Sequence, residues 1–335
     1  MHGVWRLTQT YAPVGYHQRR FITRSSSPTR GPRTPPLSQH TARYRGRWAR
    51  GGYTPGVSTL LQGVMPLMAV PRPESGYLMG ELPFIRFGEG PCKLVIFPPI
   101  NDSLQDVTDG ARFLRWYYRR FADEYTVYLV SRKRRLPSGY TTRDMAADYG
   151  RAFERSIGPA HVVGLSLGGL VAQHFAADHP EYVESLVIGV AARALGLEGY
   201  EIVRRWIDLA HARRWRKLHA EMVVFMYTGI RRPLYELLAR LLGSVMVRSP
   251  AAREDFVVSA KASLNHDAAN RLEAIEARTL VVGGAQDGLF PRHLQGDTAE
   301  RITGAALRLI EGVGHGAFDE RKRDFDVAIK EFIHR

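Results

Sequence analysis

The chain has 335 residues, of which 44% are hydrophobic and 24% are charged, the balance of an ordinary globular protein. Its single cysteine, Cys92, excludes an internal disulfide and a cysteine-rich metal site. The net charge of +14 would suggest nucleic-acid binding, but residues 1–75 contribute +10 of it through eleven Arg against one acid, Glu74. A basic face on a folded domain is therefore not predicted, and neither is a nucleic-acid partner.

The first 75 residues are rich in Arg, Ser, Thr, Pro and Gly and have no steady hydrophobic period. We predict that residues 1–75 are a disordered basic leader or an extension of the gene model, with the natural start then at Met65 or Met68. Residues 51–71 are interrupted by Gly and Pro, so we predict a linker and no membrane span. The protein is expected in the cytoplasm. Because the leader is Arg-rich and acid-poor, an organelle-targeting or export segment stays open as the alternative.

Short apolar runs of the buried-strand type alternate with helical patterns from residue 76 onward. Strands are predicted at 84–87, 93–97, 125–130, 161–165, 183–190, 278–283 and 306–310. Helices are predicted at 109–121, at 142–157 with Thr142 as its cap, directly after residue 166, at 292–301 and at 318–332. This alternation predicts an α/β fold with a mostly parallel central sheet flanked by helices. The basic run Arg132 to Arg135 is interpreted as a solvated charge cluster.

The alternation stops between residues 192 and 270, where helical patterns occur at 200–218, 221–227, 234–246 and 251–263. We predict that 192–270 is a helical cap inserted into a core made of 76–191 and 271–335. The cap carries 13 Lys or Arg against 8 Asp or Glu, which hints at an anionic substrate. Its large apolar residues either line a pocket or pack the helices together; they are Trp206, Trp215, Phe225, Met226, Tyr227, Leu237 and Leu238.

A candidate nucleophile lies where the apolar run at 161–165 ends. The sequence there is Gly164-Leu-Ser166-Leu-Gly168, and a helical pattern follows at once. Small residues two positions either side of Ser166 allow the sharp strand-to-helix turn that exposes a nucleophilic serine. A serine hydroxyl is a weak nucleophile, so it needs a histidine base, and that base needs a carboxylate to fix its tautomer.

Of the twelve histidines, only His315 follows a predicted strand on a glycine-flanked loop. Asp287 likewise follows the strand at 278–283, on a turn that Gly288 helps to form. Ser166, Asp287 and His315 thus each follow a predicted parallel strand, at the sheet edge where such folds place their sites. The rival acids are Asp267, which precedes its strand, and Asp319 and Glu320, which are interpreted as first-turn residues of the last helix.

With these residues in this order, the chain resembles the α/β-hydrolase fold superfamily from about residue 84 to its end; 140–148 and 312–318 are similar as well. The resemblance implies that Ser166 is the nucleophile, His315 the base and Asp287 the orienting acid. It also implies an oxyanion hole with the backbone N–H of Leu167 as one donor. The loop for the second donor usually begins His-Gly, whereas here Pro98-Pro99 supply no N–H.

The first N–H after those prolines belongs to Ile100, which is therefore predicted to be the second donor, with the side-chain amide of Asn101 as the alternative. Substrate-lining candidates are Asn101, Trp206, Phe225 and Met226.

The sequence predicts a serine hydrolase that cleaves an ester, lactone or thioester of a small molecule through an acyl-enzyme. Acyl transfer, carbon–carbon bond hydrolysis and cofactor-free haloperoxidase-type chemistry by the same triad stay open, because a fold does not settle a reaction. A non-catalytic ligand-binding protein is the second alternative, supported only by the two prolines. No cofactor and no metal are predicted, the expected partner is a small-molecule substrate, and a homodimer is left open.

Overall fold

The computed structural model describes residues 72–228, 232–233, 236–237 and 250–334. The predicted leader up to residue 71, the alternative starts and most of the predicted helix at 234–246 lie outside the described residues. Within the described ranges, no helix is long and apolar enough to cross a membrane.

A central eight-stranded sheet organises the described part of the chain. Its strands are β1 (Glu74–Leu78), β2 (Leu82–Phe87), β3 (Cys92–Phe97), β4 (Tyr125–Val130), β5 (Ala160–Leu165), β6 (Val183–Gly189), β7 (Thr279–Gly284) and β8 (Ala306–Ile310). Their order is β1-β2-β4-β3-β5-β6-β7-β8. The β1–β2 and β2–β4 pairs are antiparallel and the remaining pairs are parallel. The predicted α/β fold with a mostly parallel sheet is confirmed.

Helices cover both faces of this sheet. They are α1 (Ala111–Tyr117), α2 (Thr142–Ala152), α3 (Leu167–Asp178), α4 (Leu197–His211), α5 (Trp215–Met226), α6 (Pro250–Leu264), α7 (Arg292–Glu300), α8 (Ala317–Glu320) and α9 (Lys322–Ile333). The helices α4, α5 and α6 come between β6 and β7 in the chain, which confirms the inserted helical cap.

The central strands are apolar on both sides, as buried parallel strands are. Along β3, Val95 and Phe97 belong to one core, whereas Leu94 and Ile96 belong to the other. The first core is completed by α2, α3 and the cap helices, and the second by α9 and the segment before β4. Both faces of the central strands are therefore covered by packed side chains. The ends of these strands are where polar groups can lie.

The strand β1 was not predicted, and it begins inside the range assigned to the leader. Glu74 pairs with Arg86 across the β1–β2 hairpin. The connecting turn has two consecutive residues in the left-handed region, Met79 (φ 51°) and Gly80 (φ 77°). Positive φ at both central residues, with the Glu81 N–H donating to the Leu78 carbonyl at 3.0 Å, is the pattern of a type I′ turn, whose usual sequence signal is Asn-Gly. Methionine at the first position hides the signal.

The cap helices break at a different place from the predicted one. The predicted helix 200–218 is split after His211, at a turn in which Arg213 has φ 56°. The N–H groups of Arg213 and Arg214 donate to the carbonyls of Ala210 and Leu209, the hydrogen-bond pattern of a Schellman motif. Glycine normally occupies the left-handed position of this motif. Because Arg213 occupies it here, no glycine indicates the end of the helix in the sequence.

The cap of α2 is also displaced by one residue from the prediction. Its N-cap is Thr141, whose hydroxyl accepts from the Asp144 N–H while the Asp144 carboxylate accepts from the Thr141 N–H. The two reciprocal hydrogen bonds satisfy donors that the first turn of a helix otherwise leaves open.

Candidate active site

Ser166 lies on the sharp turn between β5 and α3. Its backbone has φ 53° and ψ −118°, a conformation that is strained for any residue with a side chain. A Cβ added at Gly164 would lie 2.4 Å from the Gly168 carbonyl oxygen, and one at Gly168 would lie 2.1 Å from the Phe97 carbonyl oxygen. Both glycines are thus required by close backbone approach, and Gly168 brings the start of α3 against the end of β3.

The side chains of Ser166, His315 and Asp287 form one continuous hydrogen-bonded relay. Ser166 Oγ lies 2.9 Å from His315 Nε2, and His315 Nδ1 lies 2.8 Å from Asp287 Oδ2. The three residues are only 6%, 4% and 3% exposed, respectively. The structure therefore brings together all three residues that the sequence singled out.

Asp287 is itself held in place by backbone donors. Its Oδ1 accepts from the N–H groups of Leu289 at 2.8 Å and Phe290 at 3.1 Å. The other oxygen is left for the imidazole, so the carboxylate favours the tautomer with hydrogen on Nδ1. That tautomer presents Nε2 to Ser166 as an acceptor.

The rival acids occupy other places. Asp319 accepts from the hydroxyls of Tyr227 at 2.6 Å and Tyr117 at 3.2 Å, which ties the end of α5 to α1. Glu320 accepts from the N–H of Thr228 at 3.0 Å, and Asp267 is exposed beside Arg193. Asp319 and Glu320 thus connect the cap to the helix that follows His315.

The two predicted oxyanion donors, the backbone N–H groups of Leu167 and Ile100, have no protein acceptor among the described residues. Leu167 is the first residue of α3, where helix geometry leaves N–H groups unpaired. Ile100 opens a 3₁₀ turn, Ile100–Ser103, directly after Pro99. Within the described ranges neither N–H donates to a backbone carbonyl.

A cavity of about 400 Å³, counting space open to solvent, lies over the relay. Among the described residues its lining consists of Pro99, Ile100, Asn101, Ser166, Trp206, Met222, Phe225, Met226, Leu289, His315 and Phe318. The four predicted lining residues, Asn101, Trp206, Phe225 and Met226, are all there. Met222, Leu289 and Phe318 were not predicted, because no short sequence signal distinguishes them from helix-packing residues.

The described lining of the cavity contains no Lys or Arg. Two basic cap residues form exposed ion pairs, Arg205 with Glu221 at 2.8 Å and Arg204 with Glu201 at 3.5 Å. The anionic substrate that the charge of the cap hinted at stays a prediction. One polar atom of the wall is unused: Trp206 Nε1 is buried and has no hydrogen-bond partner among the described residues.

The remaining apolar cap candidates have other surroundings. Trp215 packs against Phe256, with ring centroids 6.1 Å apart, and the Tyr227 hydroxyl donates to Asp319. Leu237 is exposed, and Leu238 lies outside the described residues.

The interpretation of 132–135 as a solvated charge cluster is wrong for its first member. Arg132 is 3% exposed and lies beneath the Pro98–Pro99 segment, with whose carbonyl oxygens it forms hydrogen bonds. Arg132 comes two residues after the end of β4, and no local sequence pattern indicates that it contacts the two prolines. No group of three or more His, Cys, Asp or Glu is arranged to hold a metal ion in the described part of the chain.

Comparison with known proteins identifies relatives of this arrangement. The family model described as "Alpha/beta hydrolase family" matches residues 110–326, more than half of the chain. The chain is 28% identical over 182 residues to 2-hydroxy-6-oxo-6-phenylhexa-2,4-dienoate hydrolase of Comamonas testosteroni, a match that covers 52% of this chain and 63% of that protein.

The chain is also 28% identical over 196 residues to a pimeloyl-[acyl-carrier protein] methyl ester esterase of Neisseria meningitidis, covering 52% of this chain and 57% of that one. Both matches thus span less than two thirds of the relative's own length. Among solved structures, the enol-lactonase from Burkholderia xenovorans LB400 superposes with a TM-score of 0.64 at 19% identity, covering 78% of this chain and 100% of that one. That likeness supports the fold.

Proposed function

This chain belongs to the Alpha/beta hydrolase family, and from that premise we propose that it is a serine hydrolase cleaving a carboxylic ester, lactone or thioester through an acyl-enzyme on Ser166. The observation that carries the proposal is the buried relay from Ser166 Oγ through His315 to Asp287, which opens on a cavity. A relative named as a methyl ester esterase supports the same class of bond.

In the proposed reaction, Ser166 Oγ attacks the substrate carbonyl carbon while His315 Nε2, 2.9 Å away, takes the hydroxyl proton. The carbonyl oxygen becomes an oxyanion and accepts hydrogen bonds from the N–H groups of Leu167 and Ile100. His315 then returns the proton to the leaving oxygen or sulfur, and the acyl-enzyme remains. A water molecule, deprotonated by the same imidazole, releases the acid by the reverse sequence.

Asp287 stabilises the imidazolium that forms in each proton transfer. Its carboxylate lies 2.8 Å from Nδ1 and is almost fully buried, so the charge pair is only weakly screened by water. The group keeps its own charge throughout, as an orienting acid of this kind does.

The substrate class follows from the wall that the cap contributes. Trp206, Met222, Phe225 and Met226 form an apolar surface beside the relay, and no described lining residue carries a fixed charge. We therefore expect an uncharged ester with an apolar acyl or alcohol group.

The test is pre-steady-state hydrolysis of p-nitrophenyl esters of increasing acyl length. The proposal predicts a burst of p-nitrophenol of about one equivalent per enzyme, and a fluorophosphonate adduct on Ser166 by mass spectrometry. Ser166→Ala should lose both. A wild-type enzyme that shows neither burst nor adduct would overturn the proposal, and a product that partitions to an added alcohol in preference to water would reassign it to acyl transfer.

The matched control is Ser185→Ala. Ser185 Oγ lies 2.9 Å from His161 Nδ1, the same separation as in the Ser166 pair, but Ser185 is buried within β6 and lines no described cavity. This variant should keep the burst and the adduct. The comparison separates loss of the nucleophile from a general effect of removing a buried serine.

A further inference from the structure

The loop that contains Pro98 and Pro99 is bound by a buried arginine, Arg132. Neither proline has an N–H, so their segment cannot be fixed by donating backbone hydrogen bonds. Their carbonyl oxygens accept hydrogen bonds instead: Arg132 Nη1 lies 2.8 Å from Pro98 O and Arg132 Nη2 lies 2.9 Å from Pro99 O, and the Asp102 backbone N–H also donates to Pro99 O at 3.1 Å. The planar guanidinium thus holds two consecutive peptide units at once.

Asp102 locks this arginine in place. Its Oδ2 accepts from the Arg132 backbone N–H at 3.1 Å and lies 3.4 Å from Arg132 Nη2, and its Oδ1 accepts from Ser131 Oγ at 2.5 Å. The Arg132 and Asp102 side chains are both 2% exposed. A buried ion pair of this kind is weak evidence for stability, since desolvation offsets much of its attraction, but it can specify one local geometry.

The geometry of the Pro99–Ile100 peptide unit connects this clamp to the site. The described chain has no cis peptide bonds, so the Ile100 N–H points opposite to the Pro99 C=O in the same plane. Arg132 occupies the carbonyl side and is not part of the cavity lining, whereas Ile100 and Ser166 both line the cavity. Holding the carbonyl toward Arg132 therefore turns the N–H away from Arg132, and the Ile100 residue that carries it lines the same cavity as Ser166.

We infer that Arg132 is a positioning residue of the oxyanion hole, which fixes the Pro99–Ile100 peptide so that the Ile100 N–H faces the developing oxyanion. It does so in place of the backbone contacts that a proline pair cannot make. The inference rests on the proposed function, because it assigns Arg132 a role in the same reaction. It acts through Ile100 and touches no substrate.

The test is Arg132→Lys, which keeps the charge beside Asp102 but cannot reach both carbonyls. Per active site titrated with a fluorophosphonate, kcat should fall by about tenfold to a hundredfold, because a small displacement of a catalytic donor has effects of that size. KM should change by less than about threefold. Binding of a trifluoromethyl ketone, which forms a tetrahedral oxyanion adduct on the serine, should weaken by the same factor as kcat.

Arg134→Lys is the matched control. Its Nη2 also lies near Asp102, 3.9 Å from Oδ1, but it forms no hydrogen bond with the carbonyl of Pro98 or Pro99. This variant should keep the wild-type kcat. An unchanged kcat per titrated site in Arg132→Lys, with only a lower Tm, would overturn the inference while leaving the proposed function intact. A wild-type enzyme that never labels at Ser166 would overturn both.

A second pair of substitutions tests the inference in case Arg132→Lys does not fold. If Arg132→Lys does not fold, the pair Arg132→Gln with Asp102→Asn removes both buried charges together and should show the same loss of kcat.

Ile100→Pro deletes the N–H itself, and Pro99 already has the extended backbone (φ −68°, ψ −177°) that a following proline needs. Ile100→Ala retains the donor as its control.

If Arg132 acts through this donor, the losses caused by Arg132→Lys and Ile100→Pro will not add in the double variant. Full additivity, with each change multiplying the other's effect on kcat, would contradict the inference.

Discussion

At the residue scale, the described part of the chain contains two serine–histidine pairs with the same separation and very different surroundings. His161 bonds Ser185 at 2.9 Å, and its other ring nitrogen lies 3.3 Å from Glu184. Ser185 nevertheless belongs to β6 and lines no described cavity, whereas Ser166 has a strained backbone and lines the cavity. The backbone turn and the cavity, rather than the hydrogen bonds alone, make Ser166 the proposed nucleophile.

Asp287→Asn is expected to lower kcat by about 10⁴-fold with little change in KM, as the equivalent change does in serine proteases. The amide can still accept from the N–H groups of Leu289 and Phe290, so the fold should persist. It can, however, present its NH₂ to Nδ1 and stabilise the wrong imidazole tautomer. The measurement is steady-state kinetics on a p-nitrophenyl ester, with Asp267→Asn as the control. Wild-type kcat in Asp287→Asn would exclude its role as orienting acid.

At the element scale, the site depends on how closely α3 approaches the end of β3. The pattern Gly164-x-Ser166-x-Gly168 made this turn predictable from the sequence, because only glycine tolerates such backbone contact. The support beneath the neighbouring loop was not predictable in the same way. Arg132 is adjacent in space to Pro98 and Pro99 only because β4 and β3 pair as parallel neighbours, and no local pattern encodes that contact.

Gly168→Ala should both destabilise the protein and reduce turnover. The added methyl would lie 2.1 Å from the Phe97 carbonyl oxygen, and a backbone atom cannot move aside without shifting the following prolines. Overpacking of this kind costs about 1–3 kcal/mol of unfolding free energy. Denaturant unfolding and kcat are the two measurements.

Gly296→Ala is the contrasting change, since it is also in a helix but its methyl would be 4.0 Å from the nearest atom, on the flexible side chain of Leu307. Its higher helix propensity should leave the protein equally or more stable, by up to about 1 kcal/mol. Equal behaviour of the two alanine variants would contradict the close-approach argument.

The cap is tied to the loop that carries His315, and this contact belongs to the element scale too. Asp319 accepts from the Tyr227 hydroxyl at the end of α5, and a Cβ added at Gly316 would lie 1.8 Å from the Met226 carbonyl oxygen. Met226 also lines the cavity. The wall of the cavity and the loop that carries His315 are therefore positioned by one shared set of contacts.

Tyr227→Phe should lower kcat/KM for longer acyl esters by roughly fivefold, the equivalent of losing about 1 kcal/mol from one charged hydrogen bond. Acetyl esters, which need less of the cap wall, should be less affected. The exposed Tyr200 on α4 supplies the control, Tyr200→Phe. A uniform effect across all chain lengths would indicate that the contact holds His315 rather than the cap wall.

At the scale of the whole molecule, the order of the site residues along the chain reflects the sheet. Ser166, Asp287 and His315 follow β5, β7 and β8, whose carboxyl ends meet at one edge, so the site could be predicted from strand positions. The cap was predictable as an insertion, but its helix ends and cavity wall were not. The helix ends depend on a turn in which Arg213 takes the left-handed conformation. The cavity wall depends on which side of each cap helix faces the sheet.

Buried histidines make the stability of the whole molecule depend on pH. Burial lowers the pKa of His219 in α5 to about 4, and burial together with the nearby His174 holds the pKa of His266 well below its usual value. His266 lies against Thr142 of α2, with 2.9 Å between its Nδ1 and the threonine hydroxyl, and His219 contacts the Trp215 carbonyl within α5. These histidines bind protons more readily in the unfolded chain than in the folded one. The free energy of unfolding therefore falls as the pH drops below about 6.5.

His219→Gln tests this dependence without removing the hydrogen-bonding capacity toward the Trp215 carbonyl. For the wild type, His219 alone should cost roughly 2 kcal/mol of unfolding free energy between pH 7 and pH 5, because its folded pKa lies near 4 and its unfolded pKa near 6.5. The variant should lose that part of the slope in urea titrations, whereas His293→Gln, at an exposed position, should keep it. An identical slope in wild type and His219→Gln would show that His219 is protonated as readily in the folded protein as in the unfolded chain.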